Sequence, residues 1–320
     1  MCIERRSTCR QSSPHPAHLH LNSTLSLPSQ HQLLVQVITS SIFQWTIKMQ
    51  YLTITLLAGL AAAQALNIPT RVGNVEVLKA VETIKAGETR NYGYRGFDRG
   101  MACTEGDTST KNAVFLLEEG ATLENVIIGP NAFEGVHCKG KCTVRNVWFR
   151  DVCEDPVAAL GKGDVLVVVG GAQNADDKVV QHNGSGRVTI RDYQVINVGK
   201  VYRACGDCEL TPLHPPHSSS SPLYHIRLTD ITGTNNSAAG SRHVAIERLR
   251  ATNVKTYLAA INTNFGGSAT ISASCGTVSA ELCQQFKGVD KGQGKSDEVS
   301  GKESCLGAQG KLARGTLNRC

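Results

Sequence analysis

Glu154-Asp155 is an adjacent pair of carboxylates, and Glu134 stands 20 residues before Glu154. Such a pair either lines a solvated turn or gathers oxygen donors for a hard cation. Downstream, Lys178 lies 24 residues beyond Glu154, and Arg203 lies 25 beyond Lys178. Each is a surface cation or ion-pair partner on the bland reading; on the chemical one it binds an anion or moves a proton. A lysine beside a bound cation has its pKa pulled down, whereas an arginine normally keeps its proton. That makes Lys178 the easier base and Arg203, whose fork matches a carboxylate, the easier clamp. A second acidic pair, Asp176-Asp177, fits a further ion or a turn equally well.

Residues this far apart act together only if the chain returns to the same place about every two dozen residues. Several segments suit such a return: Ala121–Ile128, Cys142–Phe149, Val165–Val169, Arg187–Tyr193 and His243–Leu249. In each, apolar and polar residues alternate, as in a strand with one buried face. Val126, Val147, Val168 and Ile190 recur 21, 21 and 22 residues apart. Short strands at a fixed spacing, broken by Gly, Asn and Asp, predict a solenoid of parallel strands. Helical stretches of the length a doubly wound sheet needs are missing between them. The expected fold is therefore all-β, a single-domain parallel β-helix, with an antiparallel sandwich as the alternative. Its repeat stacks Glu134 beside the Glu154-Asp155 pair, and its strand edges form a groove suited to an extended polymer.

Apolar residues make up 41% of the chain and charged residues 19%, too apolar a balance for a disordered polymer. No apolar run is long enough to cross a bilayer. The net charge of +6 comes without a dense basic block, so neither nucleic acid nor membrane is an expected partner. Twelve cysteines without zinc-ligand spacing predict disulfides formed in an oxidising compartment, in a pairing that spacing does not determine. Leu52–Ala63, followed by Ala63-Gln64-Ala65, has the apolar stretch and small-x-small site of a signal peptide starting at Met49. Residues 1–48 then form a spurious or disordered extension, 49–65 the signal, 66–286 the β-helix and 287–320 a flexible tail rich in Gly, Lys and Ser. A secreted, extracellular monomer is expected.

The residues also resemble a known family. Glu134–Cys138, Cys142–Asp155, Ala175–Gly184, Gly199–Cys208, Arg242-His243-Val244 and Ala260–Gly266 follow in order the motifs of the polysaccharide lyase family 3 pectate lyases. The resemblance spans residues 66–286. It implies a right-handed β-helix and calcium-dependent cleavage of homogalacturonan, the pectate polymer, by β-elimination outside the cell. It carries calcium binding onto Glu134, Glu154 and Asp155, catalytic roles onto Lys178 and Arg203, and substrate contacts onto Lys162 and Lys200. The family's arginine base keeps the assignment of Lys178 and Arg203 open.

Two departures stand out. A lysine expected six residues after Glu154 is Leu160 here, and Lys162 takes its place if the loop 158–163 shifts register. Residues 210–241, including Leu213–Pro222, interrupt the pattern; excising these 32 residues shortens the Ile190-to-Ile246 separation from 56 to 24. A translated intron, a lineage-specific loop and an extra coil, the last favoured by the alternation of Tyr224–Ile231, remain alternatives. Competing functions are a β-helical polygalacturonase, which needs an acid–base carboxylate pair around water and no metal, and a wall-binding β-helix without catalysis. His137 fits core packing better than catalysis.

Overall fold

The computed structural model describes residues 41–46, 48, 65–101, 103, 109–151, 153–208 and 240–320. The chain divides at Ala63/Gln64 into two units. In the first, residues 41–46 and 48 are helical, and no helix among the described residues is long and apolar enough to cross a membrane. The signal-peptide reading of residues 49–65 falls almost wholly outside the described residues, as does that of 1–48 apart from the helical positions.

In the second unit the strands alternate between two sheets. The first sheet holds β1 (Val72–Val77), β3 (Thr89–Asp98), β5 (Ala121–Ile128), β7 (Cys142–Phe149), β9 (Val165–Gln173), β11 (Gly186–Val198), β13 (Arg242–Glu247), β14 (Arg250–Val254), β16 (Ser268–Ser272), β17 (Cys275–Val278) and β20 (Cys305–Leu306). The second holds β2 (Glu82–Ile84), β4 (Ala113–Leu117), β6 (Glu134–Cys138), β8 (Val157–Ala159), β10 (Lys178–His182), β12 (Lys200–Ala204), β15 (Ala259–Asn262), β18 (Cys283–Lys287) and β19 (Asp297–Val299). Every pairing among the described strands is parallel except that of β18 with β19. A chain that adds one strand to each sheet per turn, always in the same direction, is a parallel β-helix.

Stacked apolar columns hold it together. Leu123, Val144, Val167, Ile190, Ile246 and Ile271 lie in register up the first sheet, all fully buried. They face Phe115, Val136, Val157, Val180, Tyr202 and Ala259 from the second. Each such side chain contributes about 1.5–3 kcal/mol through burial. The predicted column of Val126, Val147, Val168 and Ile190 needs correcting above its first step. Val147 stacks on Gly170 and Gly170 on Tyr193, while Val168 stacks between Arg145 and Arg191. The second and third coils are two residues longer than the first, enough to carry Val168 out of the column. Phe149 enters the core, whereas the neighbouring Trp148 packs outside the sheet with Leu66, Ile127 and Ile196.

Bends within the strands of the first sheet, and at the end of β9, use residues that tolerate left-handed backbone. Asn125 and Asn146 have φ of 54° and 55°, and Asn174, Asn197 and Asn253 adopt the same conformation. Their amides stack in ladders: Asn146 Nδ2 donates to Asn125 Oδ1 (2.6 Å) and Asn253 Nδ2 to Asn197 Oδ1 (2.9 Å).

Two expectations about the chain's course change. The C-terminal residues 287–320 are no loose tail: β19, β20 and a helical turn at Gly307–Gly310 form there, stapled by Cys283–Cys305 and Cys275–Cys320. Their small polar residues form short elements held by covalent links rather than by a large apolar face. Residues 210–239 of the interruption lie outside the described residues, but β11 pairs directly with β13, and β12 with β15. Ile190 and Ile246 are in register, so no extra coil stands between them. The remaining disulfides are Cys103–Cys153, Cys138–Cys142 and Cys205–Cys208, which with the two C-terminal bridges pair ten cysteines.

Candidate active site

The site stands where the strands of the second sheet begin. Val136 pairs with Val157 and Val157 with Val180, so Glu134 stands level with Asp155, and Asp155 with Lys178. Lys178 in turn pairs with Lys200. Two carboxylates and two ammonium groups are thus stacked in one column by the coil repeat alone. Gly135 N donates to Asp155 O at 3.0 Å, which fixes the lower rung. Arg203 is not on this column: it pairs with Gln181, three residues further along the strand direction. The 25-residue spacing from Lys178 overshoots one coil by those three residues.

The column is already charge-paired. Glu134 is buried, and its Oε2 accepts from His137 Nε2 at 3.2 Å. His137 therefore does more than pack, although it is buried as expected. Asp155 is 7% exposed, with Lys178 Nζ 3.1 Å from its Oδ1. That contact is an ion pair without hydrogen-bond geometry, which leaves Asp155 Oδ1 buried and without a donor. Lys178 also bonds to Asp177, and Asp177 reaches Lys200 Nζ at 2.5 Å. The result is a chain of alternating charge, Asp155–Lys178–Asp177–Lys200. Asp176 pairs with Lys255 at 2.6 Å, so both members of the second acidic pair have lysine partners.

Electrostatics separates these groups. Burial pushes the Asp155 carboxyl up to about 7, against the pull of Lys178 and with the help of Glu134. Burial and then Glu134 also raise Glu154. Asp177 is depressed, since the bonds from Lys178 and Lys200 outweigh its own burial. Lys178 is lowered by burial but raised overall by Asp155 and Asp177. Arg203 goes the other way: burial lowers it, and among the described residues no carboxylate within bonding distance restores it. Its guanidinium lies 4.0 Å over the Phe286 ring, Nη2 donates to Ser296 Oγ at 2.5 Å, and Nη1 is buried without a partner among the described residues.

Glu134, Glu154 and Asp155 offer oxygen only, and the mutual repulsion of their charges makes a hard divalent cation a fitting occupant. Their ligand atoms do not all lie within 4.8 Å of one another; His137 pairs with Glu134 and Lys178 with Asp155. Cys205, Asp207 and Cys208 do come that close, but the two sulfurs are joined in a disulfide and are no metal ligands.

Lys162 is not brought to this cluster. It pairs with Ser185 beyond the far ends of β8 and β10, where it lines a cleft with Arg187 and His243. The loop shift that would place it at the position of Leu160 does not occur, because Leu160 N and Gly161 N both bond to Cys138 O and hold the turn. Sequence reasoning also missed His137, Phe286 and Ser296 as parts of the site, and read Asp177 as an ion ligand or turn residue rather than as the bridge between Lys178 and Lys200. His137, three residues after Glu134, and Asp177, beside Lys178, were legible in principle; Ser296 carries no local signal at all.

A parallel β-helix with stacked carboxylates and cations along one sheet edge defines a class of proteins built to engage an extended acidic chain. The pectate lyase family profile matches residues 65–215 and 227–293. The chain belongs to that family. It is 41% identical over 236 residues to pectate lyase H of Emericella nidulans, covering 73% of this chain and 79% of the relative. It is 40% identical over 222 residues to probable pectate lyase E of Neosartorya fischeri, covering 66% and 76%. Among solved structures it resembles the catalytic domain of pectate lyase PelI from Erwinia chrysanthemi, at a TM-score of 0.54 and 26% identity over 72% of this chain and 96% of that one. Pectate lyase Pel3 from Pectobacterium carotovorum is similar at 0.52 and 27%, covering 74% and 68%.

Proposed function

We propose that this chain is a secreted, calcium-dependent lyase that cleaves homogalacturonan by β-elimination. The observation that carries the reading is the column of Glu134, Asp155, Lys178 and Lys200, with Arg203 one short step along the strands. Each sugar of the polymer bears a carboxylate and a weakly acidic proton on the neighbouring C5. Calcium held by Glu134, Glu154 and Asp155 would draw charge from that carboxylate and make the proton easier to remove. Lys178, kept protonated by Asp155 and Asp177, and Lys200 hold uronate carboxylates along the groove. Arg203 takes the C5 proton. The electron pair left behind forms the C4–C5 double bond as the C4–O bond breaks, and the departing oxygen is protonated by water.

The base is assigned to Arg203 because its environment lowers its proton affinity, whereas two carboxylates raise that of Lys178. This reverses the assignment that residue type alone favours. An arginine base still loses its proton sparingly, so an alkaline optimum follows. Five disulfides agree with an oxidising, extracellular setting.

The test is an ultraviolet assay on polygalacturonate at alkaline pH, with protein expressed from Met49. A signal from unsaturated product that appears with calcium and vanishes with chelator is expected. New reducing ends without that signal would mean hydrolysis. Binding without either, by folded protein, would mean a wall-binding module.

A further inference from the structure

After β18 the chain turns back on itself, and its return as β19 covers Arg203. Val289 N donates to Gly206 O at 2.9 Å, Tyr257 bonds to Glu298, and Cys283–Cys305 ties the segment to the coil below. Gly206 makes the close approach feasible: a Cβ there would stand 2.5 Å from Ser296 Oγ and 3.1 Å from Arg203 Nη2. Ser296 lies beyond residue 293, where the family match ends.

We propose that Ser296 is a positioning residue for Arg203. Phe286 fixes the plane of the guanidinium, and the hydroxyl, by accepting from Nη2, fixes its rotation within that plane. Nη1 is left without a partner among the described residues. A long, flexible side chain held at two points spends more of its time in the reactive geometry. The anchor is neutral, and that matters. A carboxylate in its place would raise the proton affinity of Arg203, as Asp155 and Asp177 do for Lys178. A hydroxyl orients the base without that cost.

The inference rests on Arg203 as the base, and the experiment separates the two ideas. Ser296→Ala, Ser296→Thr, Ser296→Asp, Arg203→Ala and the double variant Ser296→Ala/Arg203→Ala are assayed as full chains on polygalacturonate with saturating calcium. Ser296→Ala is expected to lower kcat about tenfold with KM within about twofold and an unchanged melting temperature. Ser296→Thr restores the rate, and Ser296→Asp moves the acid limb of the kcat profile to higher pH. In the Arg203→Ala background, Ser296→Ala has no further effect. Full kcat in Ser296→Ala, or an equal loss in both backgrounds, overturns the positioning role while leaving Arg203 as base intact. Full kcat in Arg203→Ala alone overturns the base assignment and the positioning role together.

Discussion

The outer bends of the first sheet and the leading edge of the second are built by the same device and end in opposite conditions. Both stack side chains coil upon coil. At the bends the stacked groups are amides, each donor and acceptor at once: Asn146 gives protons to Tyr94 and Asn125 and receives one from Trp148 Nε1 at 2.8 Å. Such a ladder satisfies itself and asks nothing of solvent. At the leading edge the stacked groups are charged, and stacking like beside like leaves a deficit. Glu134 repels both Glu154 and Asp155, and Asp155 Oδ1 and Arg203 Nη1 are buried without hydrogen-bond partners among the described residues. A repeat of one geometry thus gives a structural spine where the chemistry is complementary to itself, and a binding edge where it is not.

Perturbing each side should break that contrast in different currencies. The largest effect is expected for Arg203→Ala, which should lower kcat on polygalacturonate by about 10²–10⁴-fold, the usual worth of a general base, with KM little changed. Next comes Asp155→Asn, read by thermal melting across pH with and without calcium. The folded carboxyl sits at about 7 against an ordinary 3.8, so its contribution is complete at acid pH and is lost as pH rises from about 4 through 7. The metal-free chain should therefore melt lower at pH 8 than at pH 5. Asp155→Asn should flatten that slope, raise the metal-free melting temperature at pH 8, and abolish the stabilisation given by calcium. A variant that keeps calcium's full stabilisation would remove Asp155 from the ligand set.

On the spine, Asn146→Ala should cost about 1–3 kcal/mol from orphaned ladder partners and a left-handed backbone position, with kcat unchanged. A loss of activity without a loss of stability would undo the division between spine and edge. The smallest effect is expected for Lys162→Ala: less than about twofold on kcat, because the side chain lies at the other end of the strands. A larger loss of kcat would place Lys162 in the site after all.

The β-helix was legible because its signal is periodic and repeated: alternation marks a strand, and spacing marks a coil. Glu134 and Asp155 could be stacked from that period, and the structure puts them level. Finer placement failed wherever coil length varied. Two added residues moved Val168 off its column, and three displaced Arg203 from the level of Lys178. Period gives the coil, but not the position within it. The assignment of the base also turned on something no spacing encodes. Burial of Arg203 comes from Phe286 and from a segment more than ninety residues downstream, whose composition suggested a loose tail.

The direct pairing of β11 with β13 has one more consequence. Cys208 is pinned by its bridge to Cys205, and Ser241 O and Arg242 are held by Gly186 N and by Asn183 O. Both flanks of the interruption are therefore clamped to the stack independently of what joins them. Closing a longer loop between fixed ends costs only the logarithm of its length. At this joint, chain length is uncoupled from coil register, and material can enter or leave the gene there while the groove keeps its shape.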